Sequence, residues 1–241
     1  MANTHSLDLE LSSSQYASIT DVAQTGLDIT GDISLEAWIK IEQLPSVAGT
    51  AFLISGKWTS DTGKRGYRFR ITTTDTLEFA WSGEGPTENT LTSNAAIVDA
   101  GSVGKWVHVA VTFTAATPTG VLYKNAASVA STVSGTQTSI NNNAEPYAIG
   151  ATNITGTPAS FFDGLMDEVR VWNDVRTGAE ILSNYLAELV GSESNLVAYH
   201  KLNNDYLDET SNNNDLTASG SPAFTSDVPF PTANKNHAFF M

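Results

Sequence analysis

Closely spaced acidic side chains are the groups in this chain with the plainest chemical potential. Asp163, Asp167 and Glu168 fall inside the run FFDGLMDEVRVWN, Phe161 to Asn173, and a second run from Asp208 to Asp215, DETSNNND, offers oxygen atoms at every position. Carboxylates paired at ~5 Å can cleave glycosidic bonds; carboxylates converging from loops can hold a hard cation such as Ca²⁺. By strand parity Leu165, Val169 and Val171 share a face with Asp167. That carboxylate is therefore expected among core side chains, where it needs a cation, an Arg or several N–H donors. Asp167, Asp208 and Asp215 are the candidate metal ligands. The second run lacks the EF-hand spacing and reads equally well as an ordinary polar loop. Asp167 and Glu168 are neighbours, so they are expected on opposite faces of the strand and make a poor catalytic pair. Glu84 and Glu88 lie in a Gly-Pro loop that would hold them loosely.

Other catalytic patterns are missing from the sequence. His5, His108, His200 and His237 show no metal-ligand spacing, and no serine sits in a Gly-x-Ser-x-Gly elbow. His108 and His200 read as packed strand histidines. Aromatic rings offer a different chemistry, because sugar rings lay their C–H faces on them. Trp58 precedes a Thr-Ser-Asp-Thr-Gly loop, Trp81 precedes Ser-Gly-Glu-Gly-Pro, and Tyr67 lies between them in GYRFR. Trp58, Tyr67 and Trp81 are the candidate glycan platform, against the alternative that they are core.

The elements that must position these groups follow a period of two. Ile33, Leu35, Ala37 and Ile39 alternate with polar residues and Trp38, the pattern of a half-buried strand. Similar strands are expected over residues 6–11, 51–57, 65–72, 76–81, 106–113, 120–124, 127–131 and 147–150. Clusters such as Gly83-Glu84-Gly85-Pro86 and Asn141-Asn142-Asn143 punctuate them as turns. One helix is expected, from about Gly178 to Leu189, opened by a Thr177/Glu180 capping box. Its apolar stripe is Ile181, Leu182, Tyr185, Leu186 and Leu189, and Gly191 ends it. The pattern points to an all-β, two-sheet antiparallel jelly-roll sandwich with one short C-terminal helix. At 241 residues the chain can be a single domain, and the absence of cysteine excludes disulfides and thiolate metal sites.

Charge narrows the partners. With 26 acidic against 12 basic residues the net charge is −14, a field that repels nucleic-acid phosphates and anionic membranes. No segment approaches the ~20 apolar residues of a membrane span. The opening MANTHSLDLELSSS has no basic region followed by an apolar run, so no secretory signal is expected there.

Five segments in order carry a resemblance: LDLELSSSQYASI, TGDISLEAWIK, GKWVHVAVTF with LYKNAASVAS, FFDGLMDEVRVWNDVRTGAEI, and the stretch from Asn195 to Phe230. Together they resemble a laminin G-like domain of the concanavalin A-like lectin and glucanase superfamily, over nearly the whole chain. The resemblance implies a single domain over residues 1–241, with 191–230 as its closing segment; the unusual end of the chain, 231–241, is expected as a docking tail. It also implies a calcium ion on the convex side, held by the aspartate that opens the DEVRVW-like strand, here Asp167. Where the family often has Asp-Gly or Asn-Gly in the first strand turn, this chain has Ser12-Ser13. Glycosidases of this fold that resemble family 16 carry Glu-x-Asp-x-x-Glu on one strand, and this chain has no such run. The expected function is thus a non-catalytic binding or adhesion module for glycans or a partner protein surface, placed outside the cell. A virion decoration or tail-fibre domain, assembled as a homo-oligomer or within a particle, is the alternative. Its sequence support includes the tail Asn236 to Met241.

Overall fold

The computed structural model describes residues 3–61 and 63–230. In chain order its strands are β1 (Ser6–Leu9), β2 (Tyr16–Ile19), β3 (Ile33–Ile41), β4 (Phe52–Trp58), β5 (Arg65–Ile71) and β6 (Leu77–Trp81). Then come β7 (Asn89–Ser93), β8 (Val107–Thr114), β9 (Thr119–Lys124), β10 (Ala127–Val129) and β11 (Ser131–Ser134). The last five are β12 (Tyr147–Ile149), β13 (Gly164–Trp172), β14 (Leu196–His200), β15 (Thr217–Ser219) and β16 (Ala223–Thr225). Helix α1 (Pro45–Ala48) is one turn, and α2 (Gly178–Asn184) is the capped helix.

The strands form the two antiparallel sheets of a jelly-roll sandwich. The first runs β10-β9-β8-β3-β13-β1-β16, with β14 also paired to β13; the second runs β11-β7-β6-β5-β4-β12-β2-β15. The alternation in β3 has the expected sense: Ile33, Leu35, Ala37 and Ile39 enter the core between the sheets, and Trp38 faces outward. From the second sheet Phe52, Phe69, Phe79 and Trp81 meet them, with the Trp81 and Phe113 rings 4.4 Å apart. Each such side chain contributes roughly 1.5–3 kcal/mol by leaving water. Residues 191–230 run across both sheets, supplying β14 and β16 to the first and β15 to the second. The expected docking tail, residues 231–241, lies outside the described residues.

Two local features position the acidic groups of β13 and the turn that covers them. Gly164 opens β13 at φ 127°, and a Cβ there would stand 2.2 Å from the Lys40 carbonyl, so only glycine allows β3 and β13 to approach. Helix α2 starts on the expected capping box, with the Thr177 side chain and the Glu180 backbone and carboxylate bonded reciprocally. It ends early, at Asn184 rather than Leu189. The carbonyls of Asn184, Tyr185 and Ala187 are drawn to the Arg170 guanidinium and the Trp38 indole N–H instead of to the next helical turn. The expected stripe is correspondingly narrower. Ile181 and Leu189 are buried, but Leu182 and Leu186 are exposed at 61% and 55%.

Candidate functional site

Strand β13 changes neighbour halfway along. Residues 164–166 pair with β1 and residues 169–172 with β14, while β3 follows the other edge throughout. At the changeover Asp167 pairs with Trp38 and Arg170 with Glu36, so β13 advances three residues where β3 advances two. The extra residue is Glu168, at φ 53°, and the result is a β-bulge. This corrects the parity read from the sequence. Met166, Val169 and Val171 enter the core; Leu165 does not share their face, and Asp167 and Glu168 are not on opposite sides. Both carboxylates belong to the outer layer of the first sheet.

That layer is charged, polar and closed to solvent. Glu168 Oε2 accepts from Arg170 and from the Tyr199 hydroxyl, each at 2.6 Å. Glu36 accepts from the Trp172 indole at 2.9 Å, with His108 Nε2 at 3.3 Å and the Arg170 guanidinium at 4.0 Å. The turn after α2 forms the roof: the Asn184 and Ala187 carbonyls accept from Arg170, and Tyr185 stacks on Trp38 at 6.0 Å. Burial pushes Glu36 up, but His108, Arg170 and Trp172 outweigh it and hold its carboxyl below the usual range. For Glu168 burial wins over Arg170 and Tyr199, and its carboxyl sits above that range.

Asp167 is wholly buried beside this layer. One of its oxygens accepts from the Asn3 amide at 2.8 Å and the other from the Glu168 backbone N–H at 2.9 Å. Burial, reinforced by the Glu168 and Glu188 charges, nonetheless pushes it up to about 9. Two further buried oxygens on these residues, Asn3 Oδ1 and Glu168 Oε1, have no hydrogen-bond partner among the described residues. Two carboxylates and an amide, all hard oxygen donors with lone pairs to spare, suit Ca²⁺ chemically.

The other sequence candidates are placed differently. Asp208 accepts the backbone N–H groups of Tyr199, Thr210 and Asn214 and the Thr210 hydroxyl, at 2.7–3.0 Å. Its lone pairs are taken up in holding the loop, which removes it as a metal ligand. Asp215 is exposed and accepts from the Asp208 N–H. The expected aromatic platform is also corrected. Tyr67 and Trp81 pack between the sheets, with the Tyr67 hydroxyl bonded to the Leu27 carbonyl and the Trp81 indole to that of Gln137. Trp58 lies on the outer side but is covered by the Arg68 guanidinium, 4.3 Å from its ring. No sugar can stack on these three rings as they stand. His108 and His200 are buried strand histidines.

One grouping escaped the sequence reading. Asp8, Glu10 and Glu42 bring ligand oxygens within 4.8 Å of one another. Burial and Asp163 raise Asp8; burial, Glu10 and Asp8 raise Glu42. The alternation Asp8-Leu9-Glu10 is visible in the sequence, but Glu42 arrives from the far end of β3.

The profile of the Laminin_G_3 family, in the concanavalin A-like lectin/glucanases superfamily, matches residues 11–182, more than half of the chain. The chain belongs to this family. The domain is similar in structure to a candidate carbohydrate-binding protein from Bacteroides ovatus, at 20% identity and a TM-score of 0.69. That alignment covers 95% of this chain and 62% of the Bacteroides protein, so the domain corresponds to under two thirds of it. The heptameric SAP-like pentraxin of Limulus polyphemus is similar over 94% of this chain and 97% of its own, at 12% identity and a TM-score of 0.60. Domains LG4-5 of the mouse laminin α1 chain match 69% of this chain and 40% of theirs, at 17% identity and a TM-score of 0.50. No curated protein sequence matches the chain. At these identities the solved structures establish the fold. No helix among the described residues is long and apolar enough to cross a membrane.

Proposed function

We propose that this domain is a non-catalytic recognition module that binds a glycan or a partner protein surface outside the cell. The observation that carries this reading is how its buried acids are employed. Glu36 and Glu168 are tied to Arg170, and Glu78 is tied to Arg68 and Arg70 on the outer face of the second sheet. Carboxylates committed to buried guanidinium groups and closed off from solvent are not placed to attack or protonate a substrate. Family membership and the likeness to a candidate carbohydrate-binding protein support recognition. A calcium ion is part of the proposal. Asp167, Asn3 Oδ1 and Glu168 Oε1 would hold it, and its charge would stabilise the buried carboxylates at the β13 bulge. The particle-assembly alternative drew on the tail from Asn236 to Met241, outside the described residues, and no other observation favours it.

A glycan array probed with the intact domain in millimolar calcium tests the recognition reading. Selective binding to a glycan class, with no release of reducing ends from the same glycans, is the expected result. Catalytic turnover of any of them would overturn it.

A further inference from the structure

A groove of about 480 Å³ crosses the outer face of the second sheet where β15 pairs with β2. Its floor follows from register. Tyr16 and Ser18 point outward at alternate positions of β2, Thr20 continues that row one residue past its end, and Thr217 and Ser219 stand opposite Ser18 and Tyr16 on β15. Five hydroxyls thus line two adjacent strands over a length of ~14 Å. None of the five makes a hydrogen bond to another described residue, and all five residues are at least partly exposed. Phe161 braces the Tyr16 ring, with centroids 6.4 Å apart.

The walls are fixed in advance. Asn214 is fully buried, donates to the Thr25 and Val197 carbonyls and accepts from the Thr25 N–H, which locks the loop that presents Asp215 to the groove. Gln15 ties the turn beyond β15 to the start of β2 through the Gly220 and Ser221 carbonyls. A preformed wall spares a ligand the cost of ordering it. The lining holds one carboxylate, Asp215, and no Lys, Arg or His, so an anionic ligand finds no counter-charge there.

We infer that this groove binds an uncharged oligosaccharide, with a sugar face on Tyr16 and sugar hydroxyls bonded to Ser18, Thr20, Thr217, Ser219 and Asp215. The inference rests on the recognition reading above and names its site and ligand class. Free hydroxyls in rows, one half-buried aromatic ring and one carboxylate are the groups that exchange hydrogen bonds with a neutral sugar without the cost of stripping a charge.

Calorimetric titration of the intact domain with neutral cello-, xylo- and manno-oligosaccharides, beside sulfated oligosaccharides, tests it. At least one neutral sugar should bind and the sulfated ones should not. Tyr16→Ala and Ser18→Trp, which removes the ring and fills the floor respectively, should each weaken binding at least tenfold with unchanged circular dichroism. If Tyr16→Ala fails to fold, Ser18→Trp alone decides. Unchanged affinity in the folded variants would overturn the groove and leave the recognition reading standing. Binding of sulfated glycans or of a peptide alone would do the same. No binding to any glycan or protein ligand would overturn both.

Discussion

The outer faces of the two sheets handle polar groups in opposite ways. On the first, Glu36, His108, Glu168 and Arg170 lie under the turn that follows α2, and their hydrogen bonds go to one another, to Trp172 and Tyr199, and to its carbonyls. On the second, the hydroxyls of β2 and β15 are open and unbonded within the described residues. A buried charge must commit its bonding to the fold, because an unpaired one costs several kcal/mol; an exposed hydroxyl costs nothing to leave to solvent and stays available to a ligand. The contrast teaches that polarity on a strand face has two uses in this domain, and that the roof decides between them.

The strongest way to break this comparison is Arg170→Met. It leaves Glu36 and Glu168 buried without their cation and should cost about 3–5 kcal/mol, a fall of ~10 °C or more in melting temperature. A loss below about 1 kcal/mol in denaturant titration would show that the closed layer is not held by charge.

Trp58→Ala comes next, and it separates stability from binding on the open sheet. Because the ring is buried under Arg68, removing it should cost about 3 kcal/mol while leaving affinity for any oligosaccharide within twofold. Lost affinity in a folded Trp58→Ala protein would return that ring to the binding surface.

Calcium sharpens the closed side. At a hundredfold excess over its dissociation constant it should stabilise the domain by about 2.7 kcal/mol, or roughly 5–10 °C. Asp167→Asn should abolish that shift, and in chelator the variant should melt no lower than the parent, because a neutral amide replaces a carboxyl that burial already opposes ionising. Equal calcium shifts in both proteins would remove Asp167 from the ion.

The smallest effect concerns Asp8 and Glu42, whose carboxyls are raised. The folded state then holds their protons more tightly than the unfolded chain does. Their contribution to stability is present below the ordinary carboxylate range, roughly pH 4, and is lost as pH rises through the raised values. Melting curves from about pH 4 to pH 7 should therefore fall less steeply for Glu42→Gln than for the parent. Parallel curves would show that the three acids do not repel one another.

Much of the fold was legible because its causes are local. Alternation placed the apolar face of β3, and the Thr177/Glu180 box placed the start of α2, since each depends on residues a few positions apart. The same local rule misled at Trp81 and Tyr67. They alternate with polar neighbours either way, and only the presence of the first sheet opposite them makes their face the inner one. The end of α2 was misplaced for a related reason, because Arg170, which captures its carbonyls, comes from another element.

By itself the sequence determined a two-sheet antiparallel sandwich and many of its strands, because period-two patterning and turn chemistry are properties of short segments, while five ordered segments carried the family resemblance. Tertiary structure alone decided what the acidic groups became. The bulge at Glu168 lies where β13 exchanges β1 for β14, partners more than 150 residues before it and about 30 after it. That exchange turns two neighbouring carboxylates to one face, brings Asn3 beside them, and sets the closed layer apart from the open groove. No local pattern encodes it, because it depends on which distant strand lies alongside.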